Sequence, residues 1–298
     1  MKRLALALAL CLWASASEAA SRFWVGGTGT WDAVTTTNWA ATTGGAGGQS
    51  VPTAADSVTF DANSGGGTVT LNFGGTITII NLTMGAFTGT FENSTNNNNI
   101  TMTGSWSGTG TATRTFNFGT ATYSVAGNMN FATTTNLTLS AASATVRFSA
   151  GNSQASFGGK SWGTVIWTGK GAGGLGTGSI DNRLNDGGNT FGTWTMDNTN
   201  GVIVLGIVAG GTNTVTNPIV WVGSRLKPIE IWSLTPGTVT NLVIASGSSI
   251  TWASLWSIAF SGAAISATNT FDLRANTGIT ITGPPADPTG TGACILGG

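Results

Sequence analysis

The chain has 298 residues and no histidine. That removes the usual general base near neutral pH, the Ser–His and Cys–His dyads and the commonest metal ligand together. A carboxylate pair could still hydrolyse a glycosidic bond, and the candidates are Asp181, Asp186 and Asp197. The stretch DNRLNDGGN, Asp181 to Asn189, gathers two carboxylates, three amides and two glycines. Asp181, Asn185 and Asp186 therefore form a weak calcium candidate, although the alternating D-x-D-x-D-G rhythm of a strong calcium loop is missing and an ordinary polar turn is the competing reading. GGTGT (Gly26 to Thr30) and GAGGLGTG (Gly171 to Gly178) have the glycines of phosphate-binding loops. Neither leads into a helix or ends in Lys-Ser/Thr. No cofactor and no catalytic residue is expected.

Aromatic chemistry offers more. WVGGTGTWDAVTTTNW, Trp24 to Trp39, places three tryptophans among glycines and threonines with one charge, Asp32. Such a cluster is either a mini-core with tight turns or a row of platforms for sugar rings. Trp24, Trp31 and Trp39 are glycan-binding candidates on the second reading, but capping the end of a stack is the better account of them. The same choice arises for Trp162, Trp167, Trp194, Trp221 and Trp232, and above all for Trp252 and Trp256. The last two lie four apart in TWASLWS, an even spacing that would put both on one face of a strand.

The elements that position these residues follow from composition and period. Charged residues are 7% of the chain and glycines number 46, yet the hydrophobic fraction is 40%, which argues for a packed core over disorder. Residues 1–19 read as a secretory signal, with Lys2 and Arg3 ahead of a short apolar run and small residues after it. Its removal would take Glu18 as well and leave nine basic and ten acidic residues, a balance with no electrostatic footprint for nucleic acid. The apolar run is too short to span a bilayer, and no membrane anchor is expected. Cys294 would then be the sole cysteine, so no intramolecular disulfide can form.

Short segments such as TVTLNF (Thr68 to Phe73), TITIINLTM (Thr76 to Met84), ITMTG (Ile100 to Gly104), TRTFNF (Thr113 to Phe118) and GITITG (Gly278 to Gly283) alternate apolar and small polar residues. That is the period of strands with one buried face, and no helical period follows the signal. The fold class is all-β. A β-solenoid of short strands is favoured, because ladders of Thr, Ser and Asn stack without the repulsion that stacked charges bring. Two β-sandwich domains are the alternative, since no clean repeat period emerges. The expected organisation is a signal at 1–19, a Trp/Gly-rich capping module at 20–73, a repetitive β region at 74–283 and a flexible tail at 284–298. NNNN (Asn96 to Asn99) would be a turn or the start of a ladder. Asn81, Asn93, Asn99 and Asn136 head N-x-[ST] sequons of the kind expected by chance in a Thr-rich chain.

Residues 24–73 resemble the N-terminal module of repetitive β-proteins found among phage and prophage tail-associated proteins and bacterial secreted or autotransporter-type passengers. The likeness rests on W-x-G-G-x-G-x-W (Trp24 to Trp31), Asn38-Trp39, Pro52 followed by D-x-V-x-F (Asp56 to Phe60), and Asp61 to Gly65. It implies an extracellular or surface fibre with a structural or attachment role and brings no enzymatic residues. The expected function is a secreted or surface-exposed structural or adhesive β-repeat protein. The alternatives are a glycan-binding or polysaccharide-cleaving solenoid and an ice-binding protein whose T-x-T runs share one exposed face. Expected partners are a surface glycan or another copy joined through sheet edges.

Overall fold

The computed structural model of the chain describes residues 19–170, 181–235 and 237–283. Most of the expected signal, the Gly171–Gly178 loop, the tail at 284–298 and Cys294 lie outside the described residues. The chain winds as a β-solenoid, and its strands pair in parallel from coil to coil. Two sandwich domains are not formed. The coils have three faces.

Face 1 is a twelve-stranded sheet that includes Ala20–Trp24, Asp56–Thr59, Leu82–Thr83 and Trp106–Ser107 and runs on through Asn182–Leu184, Ile203–Ile207, Ile229–Ser233 and Ala253–Trp256 to Phe271–Arg274. Face 2 begins as the five-stranded sheet from Gly29–Asp32 to Leu137–Ser140, and face 3 as the run from Thr76–Ile79 to Thr145–Phe148. In the next two coils the corner between them disappears, and the eight-residue strands Ser161–Thr168 and Thr190–Asp197 serve both faces. The front of the first continues face 2, Gly163 N donating to Ala141 O at 2.9 Å, while its rear pairs with Thr145–Phe148. The faces then part again. Thr190 and Phe191 pair with Thr214 and Val215, whereas Trp221 Nε1 donates to Trp194 O at 2.9 Å. Face 2 continues through Thr212–Val215, Thr240–Ile244 and Ile258–Ser261, and face 3 through Val220–Val222, Ser249–Thr251, Ile265–Thr268 and Ile279–Thr282.

The alternation read from the sequence is the reason these strands form. In Arg114–Asn117, Thr122–Val125 and Thr145–Phe148 every second residue is buried. The inward residues build an aromatic spine. Phe60 meets Phe91 at 5.6 Å, Phe91 meets Phe118 at 6.1 Å, and Phe118 meets Trp162 at 6.0 Å. Phe157 continues it to Phe191, which touches Trp194, and Trp194 reaches Trp221 at 5.9 Å.

Corners are held by side-chain amides that reach to the neighbouring coil. Asn96 and Asn98 donate to Leu71 O at 2.7 and 3.1 Å, and Asn98 Oδ1 accepts from Phe73 N and Gly75 N. The Asn run is therefore a corner and an inter-coil clamp together. On face 1, Asn81 donates to Ser57 across 24 residues, and at the corner between faces 2 and 3 Thr120 N donates to Asn97 Oδ1 across 23. Near the C-terminal end, Thr251 and Thr268 meet across only 17 residues. The last coils are short.

The N-terminal end is closed by its tryptophans. Trp39–Ala40 pairs antiparallel with Ala20–Trp24 and covers the edge of face 1. Trp24 and Trp31 each meet Trp39 edge-on at 5.2 Å, and Phe60 closes the cluster from the next coil. The glycines of W-x-G-G-x-G-x-W have distinct jobs. A Cβ on Gly26 would lie 2.5 Å from Asn38 Oδ1, and Gly27 turns at φ 57°. Asp56 accepts from Thr53 N at 2.8 Å, as expected of an Asp that organises the turn before a strand. Because Trp31 is fully buried among three aromatic rings, Trp31→Ala is expected to cost about 3–5 kcal/mol, measured as a lower urea midpoint. A loss below about 1 kcal/mol would show that the cap carries little of the stability.

Candidate functional site

Trp24, Trp31 and Trp39 are fully buried, so no sugar can reach their rings, and their role is the cap. The pairing of Trp252 with Trp256 on one strand face also fails. Trp252 is a left-handed corner residue, φ 54°, between Ser249–Thr251 and Ala253–Trp256, which breaks the even spacing. Trp256 instead meets Trp232, the residue opposite it one coil earlier on face 1, with ring centroids 5.6 Å apart and planes inclined by 62°.

The carboxylate candidates are separated. Asp181 pairs with Lys170 Nζ at 3.3 Å. Asp186 lies beyond the far end of Asn182–Leu184, about 16 Å away along extended chain, and accepts from Gly158 N and Asn189 Nδ2. Asn185 donates to Gln154 Oε1 at 3.4 Å. Strand geometry thus splits the calcium candidate Asp181, Asn185 and Asp186. Among the described residues no group of three or more metal-ligating acidic, Cys or His side chains forms. Asp197 is engaged by Thr199 and Arg147, and these hold its carboxyl below the usual range against partial burial.

The threonine runs divide as well. TITI, ITMT and ITIT lie on face 3, while TVTL lies on face 2. Arg147 interrupts the face 3 ladder, stacked on Ser124 on one side and Ile166 on the other. Of the sequons, Asn93 is fully buried and donates to Tyr123 Oη, and burial raises the Tyr123 pKa.

The outer side of face 1 changes character along the axis. In the N-terminal half it is small and polar, a column of Ser57, Asn81, Ser105, Asn128 and Gln154 linked by hydrogen bonds from coil to coil. Arg183 stacks on Gln154, and from there the same column runs through Gly206, Trp232 and Trp256 to Arg274. Beside it runs a second column of Val204, Glu230, Ser254 and Phe271, with Asp181 just ahead of Asn182 in the same register. A chain so poor in charge therefore collects Lys170, Asp181, Arg183, Glu230 and Arg274 around two tryptophans.

Glu230 is the unusual member. Desolvation, with a smaller contribution from the negative charge of Asp181, raises its carboxyl above the ordinary range. Among the described residues its carboxylate has no hydrogen-bond or salt-bridge partner. Sequence reasoning raised the choice between core and platform at Trp232 without singling it out, and missed Glu230 as a site residue. The clue was the pattern PIEIWSL, where the polar side of an alternating strand carries Glu and Trp in place of the Ser, Asn and Gln of the same face in the N-terminal half.

Comparison with protein-family models, curated proteins and solved structures finds no match to this chain.

A raised pKa means that ionising Glu230 costs the folded state more than the unfolded one. Stability is therefore expected to fall as pH rises from below the unfolded carboxyl pKa, about 4.3, through the folded value. Glu230→Gln removes that loss. The variant should melt with the wild type near pH 4 and above it at pH 8, and an equal gap at both pH values would contradict this.

Proposed function

We propose that the protein is a secreted or cell-surface structural and adhesive β-solenoid, a rigid stack whose outer faces present binding side chains. The observation that supports this most is the unbroken stack itself. One sheet of eleven parallel strands, edged by the antiparallel Trp39–Ala40, runs from a capped N-terminal edge to Phe271–Arg274 over a continuous core. Such a stack holds side chains at fixed axial intervals and needs no loop or lid to place them. The resemblance of residues 24–73 to secreted and tail-associated β-repeat proteins agrees with the reading, as do the expected leader and the low charge.

The reading is tested by producing the full chain in a bacterial secretion host and following it by cell fractionation and protease shaving. Expected is a shortened chain, cut after the leader, in the extracellular or surface fraction. An uncut chain retained in the cytoplasm would overturn it.

A second reading, a glycan-binding or polysaccharide-cleaving module, is favoured at one place only, the strip of face 1 around Trp232 and Glu230. Asp181 and Glu230 stand two rungs apart there, roughly 10 Å between backbones.

A further inference from the structure

The tryptophans of this chain divide by position. Every described tryptophan from Trp24 to Trp221 is at most 2% exposed, whereas Trp232, Trp252 and Trp256 all reach solvent in part. The change coincides with a core that becomes chiefly aliphatic through Ile229, Ile231, Leu242, Ile250, Leu255 and Ile258. An aliphatic core has no indoles inside. It does not require them outside, where Ser, Thr and Asn serve elsewhere on the same face. Trp232 and Trp256 on the outer side, in register and in contact, are therefore unexplained by packing of the core.

We propose that the outer side of face 1 from Arg183 to Arg274 binds a neutral, extended β-1,4-linked glycan. This rests on the adhesive reading and names its ligand class. Three observations select the occupant. The two indoles offer an apolar face and an edge to the C–H faces of pyranose rings. The Glu230 carboxylate, desolvated and without a partner among the described residues, can accept hydrogen bonds from sugar hydroxyls, with the Arg183 and Arg274 guanidinium groups as donors at the two ends of the column. Successive rungs of a parallel sheet are about 4.8 Å apart, close to the rise per sugar of an extended β-1,4 glycan, so consecutive sugars meet consecutive coils. Asp181 is already paired with Lys170, but an anionic sugar beside Glu230 would meet a carboxylate that has no partner among the described residues, and a neutral sugar avoids that repulsion.

The test is calorimetric titration of the full chain with cellohexaose and with chitohexaose, paired with tryptophan quenching by acrylamide. Binding of at least one hexaose is expected, with protection of a minority of the fluorescence. Trp232→Ala and Trp256→Ala should each weaken it about tenfold, the equivalent of one lost stacking contact. Glu230→Gln, which leaves the packing intact, should weaken it roughly threefold to tenfold. Thr83→Val, on the same face in the N-terminal half, should leave it unchanged. Circular dichroism identifies any variant that has lost its fold, and the Glu230→Gln result then decides. No binding of either hexaose at millimolar concentration, or wild-type binding by the folded variants, would overturn the proposal. The surface location measured by fractionation stands or falls separately.

Discussion

Parallel pairing in register sets each side chain on the one a coil earlier, at the roughly 4.8 Å spacing of neighbouring strands. Everything else in the molecule answers to that contact. Two like charges at such a distance on one column repel, so a stack of many coils tolerates Thr, Ser, Asn and Gly and excludes most Lys, Arg, Asp and Glu. The 7% charge content is a consequence of the architecture. Where charges do occur they are separated by a rung or paired across one. Arg147 reaches Asp197 past the intervening strand Ser161–Thr168. Asparagine suits the corners because its amide both donates to and accepts from the backbone of the adjacent coil, as Asn98 does with Leu71 and Phe73.

The core changes its make-up along the axis. Coils of 23 to 24 residues enclose Phe, Tyr and Trp in a continuous spine, and the merged strands Ser161–Thr168 and Thr190–Asp197 still bury Trp162, Trp167 and Trp194. From Ile203 onward the inward residues of face 1 are chiefly aliphatic, first in coils of 26 and 24 residues and then in the shorter ones that follow. Residue types are thus sorted by position along the axis, and the surface of the C-terminal half carries large apolar groups such as Val220, Val222, Leu226 and Phe271.

Much of this was legible in the sequence, because alternation is local. TRTFNF and ATVRFS announce their strands without any knowledge of partners. The period was not legible, for reasons visible in the corners. The insertion between Asp32 and Asp56 lengthens the first coil, two coils lose a corner altogether, and the last coils are short, so no fixed interval recurs. The tryptophan cap was readable from W-x-G-G-x-G-x-W, since few arrangements other than a tight core use three indoles and so many glycines. The strip on face 1 was not. Trp232 and Trp256 are brought together by register across a whole coil, and the apparent partner, Trp252, is taken out of line by a single left-handed residue.

The two ends of the stack are unlike. The N-terminal edge carries an antiparallel strand and a closed aromatic cluster, while Phe271–Arg274 and Ile279–Thr282 form the last described rungs of their sheets. A ribosome delivers the closed end first. Each coil gains its hydrogen bonds and its buried surface from its immediate neighbours, so the Trp24–Trp31–Trp39 cluster is the first packed surface available to the coils that follow it out.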